Sequence, residues 1–579
     1  MKRWLIFAIL SVISLIGLSS LLIDGVLEGL IESKLRKAIL LDERSTYDIQ
    51  YESIHTRFLK GSILISGLHL FPRQPENSKS ASITDKALYD IRLKEFALSG
   101  LSTWRLLFHG EIAIQSIFLD QVAVKVYSAH RAKSGPTAEN LARDIIAPTL
   151  EFAFLDSLKL ENARFDFYQI AQDTTKLFSF DSLTFSVYEL YIDSGLIRSG
   201  EYFDYQGLSM KVKNIELDYF PQVALKLKDL SLNPNEGRMQ ITGLEIKNKE
   251  DKYEFMKHQA FETDWISLKL DKVILENLDF NKFHESGELE MDLVELINPA
   301  IELYRDKRLP DQPFRFVPLP FRTIRELGFI FHVNQLQVKN ASLSYVEWAE
   351  YSVRPGVLKM DHLEANVRNL TSNNSRLMIN DTMIVESKGR LMNSGVISVE
   401  LKAAILDSND FFTLTGKLSN IDFVALNPLV EHQAMVRFNE GKINSIVFEL
   451  EGNNVESAGT LDLDYEGLKN MTLLRNKTEL EANSNSRKKK EGKRLLSFLA
   501  NTYVLNSYHP GMIDYYQGRI RFKRDQGKAI FHFTLHSLIT GLKSSMLPNL
   551  EDDWSEIKRQ HQKSLREERL LKKKSKRNK

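Results

Sequence analysis

The chain has 579 residues, a formal net charge of +1 and an apolar fraction of 43%, with aromatic residues at 10%. The apolar fraction excludes wholesale disorder, and the balanced charge excludes a strong electrostatic field for nucleic acid. Because the chain contains no cysteine, disulfides, zinc–thiolate sites, iron–sulfur clusters and cysteine nucleophiles are also excluded.

The N-terminus predicts a single transmembrane helix. Trp4–Ile23 contains no charged side chain, and about 20 apolar residues are needed to cross a hydrocarbon core of roughly 30 Å. Basic residues precede this stretch and acidic residues follow it, so 1–3 is expected in the cytoplasm and the rest across the membrane. A cleaved signal peptide is the alternative, with a weak candidate cleavage site at 17–20. The anchor residues are Trp4, Leu5, Ile6, Phe7, Leu22 and Ile23.

Beyond the anchor, the pattern predicts a membrane-proximal helix and linker at 24–47 and a β-rich ectodomain at 48–480. Two stretches with helical spacing of apolar residues, 137–150 and 289–308, are predicted as helical inserts in this ectodomain. The remaining segments are a polar basic linker at 481–494, a C-terminal segment of helix and strands at 495–550, and a basic C-terminal helix or tail at 551–579.

One strand motif recurs along the ectodomain: apolar residues alternate, one small or polar residue breaks the alternation, and the alternation then resumes. The breaks fall at Gly67, Gln121, Asn162, Asn214, Gly243 and Asn340. Because strand side chains alternate between faces, a one-residue slip would turn the second half to the opposite face. A bulge or tight turn at the break prevents this, and Asn and Gly tolerate the backbone angles involved. The motif therefore predicts bent strands that keep one apolar face.

These motifs carry a family resemblance. They include Gly61-Ser-Ile-Leu-Ile-Ser-Gly-Leu soon after the lone span, Leu158-Lys-Leu-Glu-Asn-Ala-Arg-Phe, Leu336-Gln-Val-Lys-Asn-Ala-Ser-Leu, and a later block from Thr413-Leu-Thr-Gly-Lys-Leu to Gly459-Thr-Leu-Asp-Leu. The chain resembles the AsmA-like group of membrane-anchored bacterial envelope proteins, part of a wider set that includes TamB and the bridge-like lipid-transfer proteins.

The resemblance implies a mainly β fold, in which a long curved antiparallel sheet forms an open apolar groove. It implies a single-pass protein of the bacterial inner membrane with its bulk in the periplasm. In this role the groove passes or shelters phospholipid or another lipid, and so supports outer-membrane assembly or lipid homeostasis. A protein of the outer membrane or envelope is a further implied partner, whereas nucleic acid, cofactors and metals are not expected. The groove candidates are Ile117, Leu119, Val124, Leu158, Leu160, Phe165, Phe167, Val212, Leu217, Leu336, Val338 and Leu343.

Two alternatives stay open. Periodicity alone also fits closed β-sandwiches, which would make the chain a non-catalytic structural or interaction scaffold of the periplasm. A membrane-tethered hydrolase is the other, but the sequence shows no nucleophile elbow, phosphate-binding glycine loop or metalloprotease motif. The chain is therefore not expected to be an enzyme.

Two further features have competing interpretations. His532 and His536 lie in a segment, 528–534 and beyond, whose alternation predicts a strand, where residues four apart do not easily share a metal. The basic tail is either a solvated end or a segment that docks on an anionic bilayer surface. Its candidate membrane-surface residues are Lys572, Lys573, Lys574, Lys576 and Arg577.

Overall fold

A computed structural model of the chain describes residues 24–29, 33, 47–72, 88–102, 105, 111–128, 152–170, 174–193, 204–218, 220, 222–350, 352–433, 436–468, 472–473, 507–513 and 515–546. The predicted membrane span, the insert at 137–150, the linker at 481–494 and the basic tail, with their site residues, lie outside these ranges. Within them, no helix combines the length and the hydropathy required of a bilayer span.

The described part of the chain is mainly β, which confirms the predicted class. Of its 23 strands, 21 belong to one mixed sheet and two form a separate pair. The chain divides into two compact units. Unit 1 contains the described residues up to Lys249 together with Lys272–Leu278, and unit 2 contains Glu250–Asp271 and the described residues from Asp279 onward.

Unit 1 is built from ten strands. They are β1 (Tyr47–Gln50), β2 (Ser53–Arg57), β3 (Ser62–Pro72), β4 (Leu88–Ser99), β5 (Ile112–Ser128), β6 (Phe152–Ile170), β7 (Thr174–Asp193), β8 (Asp204–Leu217), β9 (Val223–Asn233) and β10 (Arg238–Asn248). From β3 to β10, each strand pairs with the next one in sequence. Both β1 and β2 pair with β3.

Residues 24–29, where the sequence predicts a membrane-proximal helix, are helical and contact the start of this sheet. The Asp24 carboxylate accepts a hydrogen bond from the backbone N–H of Phe58 at 2.6 Å. One helical turn later, the Glu28 carboxylate accepts one from the backbone N–H of Thr56 at 2.8 Å. The segment that directly follows the predicted span is therefore attached to the end of β2.

The described part of unit 2 contains the remaining strands and six helices. The strands are β11 (Asp264–Glu276, with 272–276 belonging to unit 1), β12 (Leu289–Ile297), β13 (Ala300–Asp306), β14 (Phe331–Trp348), β15 (Gly356–Thr371), β16 (Thr382–Leu391), β17 (Gly395–Ala404), β18 (Phe412–Asp422), β19 (Val436–Arg437), β20 (Lys442–Gly452), β21 (Glu456–Glu466), β22 (Thr472–Leu473) and β23 (Gly518–Lys523). The helices are α1 (Lys252–Lys257), α2 (Phe280–Ser286), α3 (Pro320–Arg325), α4 (Asn374–Leu377), α5 (Asn427–Gln433) and α6 (Ile530–Met546).

The predicted breaks in the strand motif are confirmed as backbone bends. All six adopt left-handed φ angles, between 51° and 64°, at Gly67, Gln121, Asn162, Asn214, Gly243 and Asn340. On β8, Val212 is buried and Leu217 is half-buried, although they are an odd number of residues apart, whereas Lys211 and Glu216 are exposed. The bend at Asn214 therefore keeps the apolar side chains of both halves on one face.

The sheet is mixed, so the predicted purely antiparallel arrangement is wrong. β5 pairs with β6 in parallel, and β14 pairs in parallel with both β12 and β13. Parallel neighbours need a connection of a dozen residues or more, and the connections at 129–151 and 307–330 have that length. Each of these long connections therefore lies between two neighbouring strands that run in the same direction.

The predicted helix at 289–308 is also wrong, because this segment forms β12 and β13. The two strands keep one register against β14 and are interrupted at Asn298, which has a φ of 52°. Val294 pairs with Leu336 on one face, while Leu293 and Ile297 are apolar residues on the other face. Apolar residues on both faces produced spacings that imitate a helix.

Unit 2 has a closed core, which α3 and α6 complete. Phe533 of α6 has no exposed surface, and its ring lies 6.1 Å from that of Phe412, which in turn lies 5.7 Å from that of Phe321 on α3. A Cβ atom on Gly518 would lie 2.2 Å from the carbonyl oxygen of Gly541, so glycine is required where α6 crosses β23. The strand predicted at 528–534 is therefore wrong, because burial against the sheet overrides the local alternation.

Candidate functional site

The candidate site is the apolar face of unit 1, which is formed by apolar residues paired directly across β3–β10. Row A crosses eight strands on one side of the line of bends. It consists of Ile65, Phe96, Leu119, Leu160, Phe185, Met210, Leu232 and Met239. Row B crosses seven of these strands on the other side of the bends. It consists of Tyr89, Val126, Phe167, Phe178, Leu217, Leu225 and Ile246. No residue in either row carries a charge.

A line of bent residues separates the two rows. In the parallel pair β5–β6, the pairing continues with one offset on both sides of Gln121 and Asn162, so these two residues lie side by side. The Asn162 amide donates to the Asp120 carboxylate at 3.2 Å, and the Asn214 amide donates to Asp181 at 3.1 Å. The amide side chains thus stabilise the bends by bonding to neighbouring strands, on the face that is not apolar.

Nine of the predicted groove residues lie in unit 1, and the structure brings them together on this face. Leu119 and Leu160 belong to row A, and Phe167 and Leu217 belong to row B. Four of the remaining five form two in-register pairs between or beside the rows, Ile117 with Leu158 and Val124 with Phe165. The fifth, Val212, pairs with Leu183, which was not a candidate. The apolar face therefore contains every groove candidate that the sequence placed before residue 250.

In the described part of unit 1, no second layer covers the apolar face, because the elements other than strands are only the helix at 24–29 and short turns. Among all described residues, the two clusters of buried apolar residues both lie in unit 2. Of the two rows, only Ile65 and Val126 are buried, and the other members are half-buried or, at Tyr89, exposed. This exposure distinguishes the apolar face from a protein core, where side chains are fully enclosed.

The opposite face of unit 1 is polar and carries paired charges. The Arg164 guanidinium lies 3.0 Å from Asp181, and this hydrogen bond holds the pKa of the Asp181 carboxyl below its usual range. Lys226 likewise pairs with Glu216 at 2.7 Å, which raises the pKa of the Lys226 ammonium. Ion pairs thus lie on one side of the sheet, whereas the rows on the other side carry no charge.

The three groove candidates in unit 2 have different surroundings. Leu336 begins a row that continues across the sheet through Val367, Val385, Leu401 and Leu414 to Leu450. Leu450 has only 1% of its surface exposed, inside the core that α3 and α6 close. Val338 and Leu343 are half-buried on the same strand. The apolar side of unit 2 is thus largely occupied by its own helices.

The sequence analysis placed strands here but did not name the phenylalanines of β4 and β7 as groove candidates. Phe96 on β4 and Phe178 and Phe185 on β7 complete the rows, and the Phe165 ring lies 5.7 Å from that of Phe180 beside them. These strands lack the Asn, Gln or Gly break that marked the other copies. Their alternation of apolar and polar residues was the available signal.

His532 and His536 share one face of α6, with ring centroids 4.2 Å apart. Burial lowers the pKa of His532 to about 4, and it also lowers the pKa of His536. In the described part of the chain, no three His, Asp or Glu residues are grouped closely enough to hold a metal ion.

Comparison with known proteins gives no family for the chain, because no protein-family model and no curated protein matches it. The resemblance to the AsmA-like group stays a prediction from the motifs quoted above. The observed site is a face whose rows carry no charge, which spans eight strands and which the described residues of unit 1 leave uncovered.

Proposed function

We propose that unit 1 binds the acyl chains of lipid on its apolar face, and that the chain passes or shelters lipid as a membrane-anchored envelope protein. One observation supports this most: row A runs unbroken across eight strands, and no described element of unit 1 covers it. The proposal includes the AsmA-like relationship, the bacterial inner-membrane location and the absence of enzymatic activity.

The energetics of acyl-chain transfer favour such a surface. Exposing a hydrocarbon chain to water costs about 0.8 kcal/mol for each CH₂ group. Neighbouring strands lie about 4.8 Å apart, so a row across eight strands is roughly 34 Å long, similar to the thickness of a bilayer hydrocarbon core. A chain lying along row A would therefore keep most of its length out of water.

Movement along the face requires contacts that are numerous but not directional. Leucine, methionine and phenylalanine side chains provide dispersion contacts of this kind, each of them weak. The ion pairs of unit 1, such as Arg164–Asp181, lie on the other face and would not trap a headgroup. If Trp4–Ile23 spans a membrane as predicted, the contacts of Asp24 and Glu28 would hold the end of β2 beside the bilayer, where lipid could enter.

The alternative function, a non-catalytic scaffold, is favoured for unit 2 by its filled core. With Leu450, Phe412 and Phe533 almost fully enclosed, that unit offers little room for an acyl chain. We therefore assign the lipid-binding role to unit 1 and a structural role to the core of unit 2.

Lipid extracted from the purified full chain tests the proposal. Mass spectrometry should detect bound phospholipid or another acyl lipid in the wild-type chain, and much less in a Leu160→Asp, Phe185→Asp variant. The control is Lys159→Asp, which changes charge on the exposed polar face of the same strand and should retain the lipid. An unchanged lipid content in the double variant would refute the proposal.

A further inference from the structure

One end of the unit 2 sheet presents exposed apolar side chains that the proposed function does not use. β12 and β14 both begin at this end, because Leu289 and Phe331 are partners in a parallel pairing. β15 finishes there, since His332 pairs with Thr371, and α4 connects it to β16. We call these side chains the end patch, which consists of Phe283, Phe329, Ile330, Met378 and Ile379.

The loops that carry the end patch are tied together. Lys282 of α2 and Arg376, two residues before Met378, both form ion pairs with the Glu290 carboxylate. The loop before β14 is tied to the loop that carries Arg376, because the backbone N–H of Phe331 donates to the Ser372 hydroxyl at 3.0 Å. The apolar side chains therefore belong to one connected surface, formed by three loops.

The end patch is unusually exposed for residues of this kind. Met378 and Ile379 have 82% and 89% of their surface exposed, and the two phenylalanines are about half exposed. At the opposite end of the same strands, the loop between β14 and β15 exposes one large apolar residue, Val353, which has 66% of its surface exposed. Large exposed apolar patches in soluble domains usually mark a surface that contacts a partner or a membrane.

The N–H groups around Met378 and Ile379 all have hydrogen-bond acceptors. Each N–H group of residues 375–380 donates within the loop, to the side chain or carbonyl of Asn373 or to the carbonyls of Asn374 and Arg376. A segment that enters a bilayer cannot leave such groups unpaired, because lipid offers no replacement for water. The N–H groups of this loop meet that requirement.

The charges of the end patch point to the kind of bilayer. Lys282 and Arg376 are already paired with Glu290, so these cations are not free to bind anionic headgroups. Attraction to an anionic surface needs unpaired basic residues, each worth about 1 kcal/mol. The surface fits a neutral phospholipid bilayer better than an anionic one.

We propose that the end patch inserts into the interfacial region of a neutral phospholipid bilayer, with Met378 and Ile379 entering first and the three flanking residues following. This contact goes beyond the proposed lipid groove and does not depend on it, because every residue of the patch belongs to unit 2. It would make the chain a protein with a second membrane contact in addition to the predicted span.

Fluorescence tests the contact directly. The chain has no cysteine, so Ile379→Cys can be labelled at a single position with nitrobenzoxadiazole in the full chain, reconstituted in phosphatidylcholine vesicles. We expect a blue shift, a severalfold rise in emission, and quenching by brominated phosphatidylcholine, supplied in the same vesicles or in added ones. The matched control is Val353→Cys at the opposite end of the sheet, which should show none of these changes.

The other outcomes would overturn the proposal. An Ile379→Cys label that stays in a polar environment with both vesicle populations shows that the patch does not enter lipid. A shift only with vesicles containing phosphatidylglycerol indicates electrostatic adsorption instead. A shift that depends on protein concentration and resists brominated lipid indicates contact with a second copy of the chain. None of these results bears on lipid binding by unit 1, so the two proposals can fail separately.

Discussion

At the residue scale, single left-handed residues decide where the apolar face lies. Asn162 has a φ of 55°, a conformation that most side chains adopt only at a cost of about 1–2 kcal/mol. Its amide also bonds to Asp120 on the neighbouring strand. The residue type is therefore set by backbone geometry, and this is why the sequence could predict the bends without an observed structure.

Replacing Asn162 separates these two contributions. Asn162→Ala should destabilise unit 1 by about 1–2 kcal/mol, because alanine is strained at this φ and loses the amide. Asn162→Gly loses the same hydrogen bond but not the conformation, so it should be closer to the wild type. Thermal unfolding and hydrogen exchange of β6 measure both. Equal losses in the two variants would show that the bend is not held by backbone preference.

His532 gives a pH dependence to unit 2. Its pKa in the folded chain is about 4, below the usual 6.5, because of burial and of the nearby His536. Between these two pH values the unfolded chain binds more protons than the folded one, so stability falls as the pH drops through this window. The loss should reach up to about 3 kcal/mol near pH 4 and add nothing below it.

Hydrogen exchange of α6 measured from pH 7 to pH 4 checks this prediction. The wild type should open progressively as the pH falls, whereas His532→Gln should flatten the dependence over the same range. His536 and the charges of Lys307, Lys528 and Asp525 contribute to the field at this site and are retained in both chains. An identical pH dependence in the variant would rule out His532 as the titrating group.

At the element scale, the sequence predicted strands well where burial was one-sided and failed where it was not. The alternation around Asn162 and Asn214 predicted both the strands and their bends. The segment 289–308 has apolar residues on both faces of β12, so its pattern lost the period of two and imitated a helix. In α6 the opposite happened. Apolar residues alternate with His532 and Thr534 in Ile530-Phe-His-Phe-Thr-Leu, and this pattern imitated a strand, although contacts with the sheet made the segment a helix.

The site was partly predictable for the same reason. Copies of the motif with a Gln or Asn break revealed β5, β6 and β8, including Leu119 and Leu160. The strands between them, β4 and β7, carry the phenylalanines of rows A and B without such a marker. Which strands become neighbours depends on long-range pairing, and the parallel β5–β6 pair is not encoded by any local pattern.

A matched pair of substitutions tests the difference between the two apolar surfaces. Leu450→Asp places a charge in the closed core of unit 2 and should unfold that unit, because an unpaired buried charge costs several kcal/mol. Leu160→Asp places the same charge on the half-buried apolar face and should leave unit 1 folded. Circular dichroism and limited proteolysis distinguish them. Global unfolding of Leu160→Asp would mean that row A is a core.

At the scale of the whole molecule, the chain combines two solutions to the same problem. A sheet with one apolar face must bury that face, and unit 2 does so with α3 and α6. Unit 1 presents an apolar face of similar character that its described residues leave uncovered. We propose that lipid acyl chains occupy this face, whereas the second unit supplies a filled core and the end patch.

Photocrosslinking from two adjacent residues of β6 tests this account most directly. Benzoylphenylalanine placed at Leu160 on the apolar face, and separately at Lys159 on the polar face, is irradiated in the full chain in its host membrane. We expect mass spectrometry to detect lipid adducts at Leu160 and none at Lys159. Equal yields at the two positions, or adducts only with protein at Leu160, would contradict it.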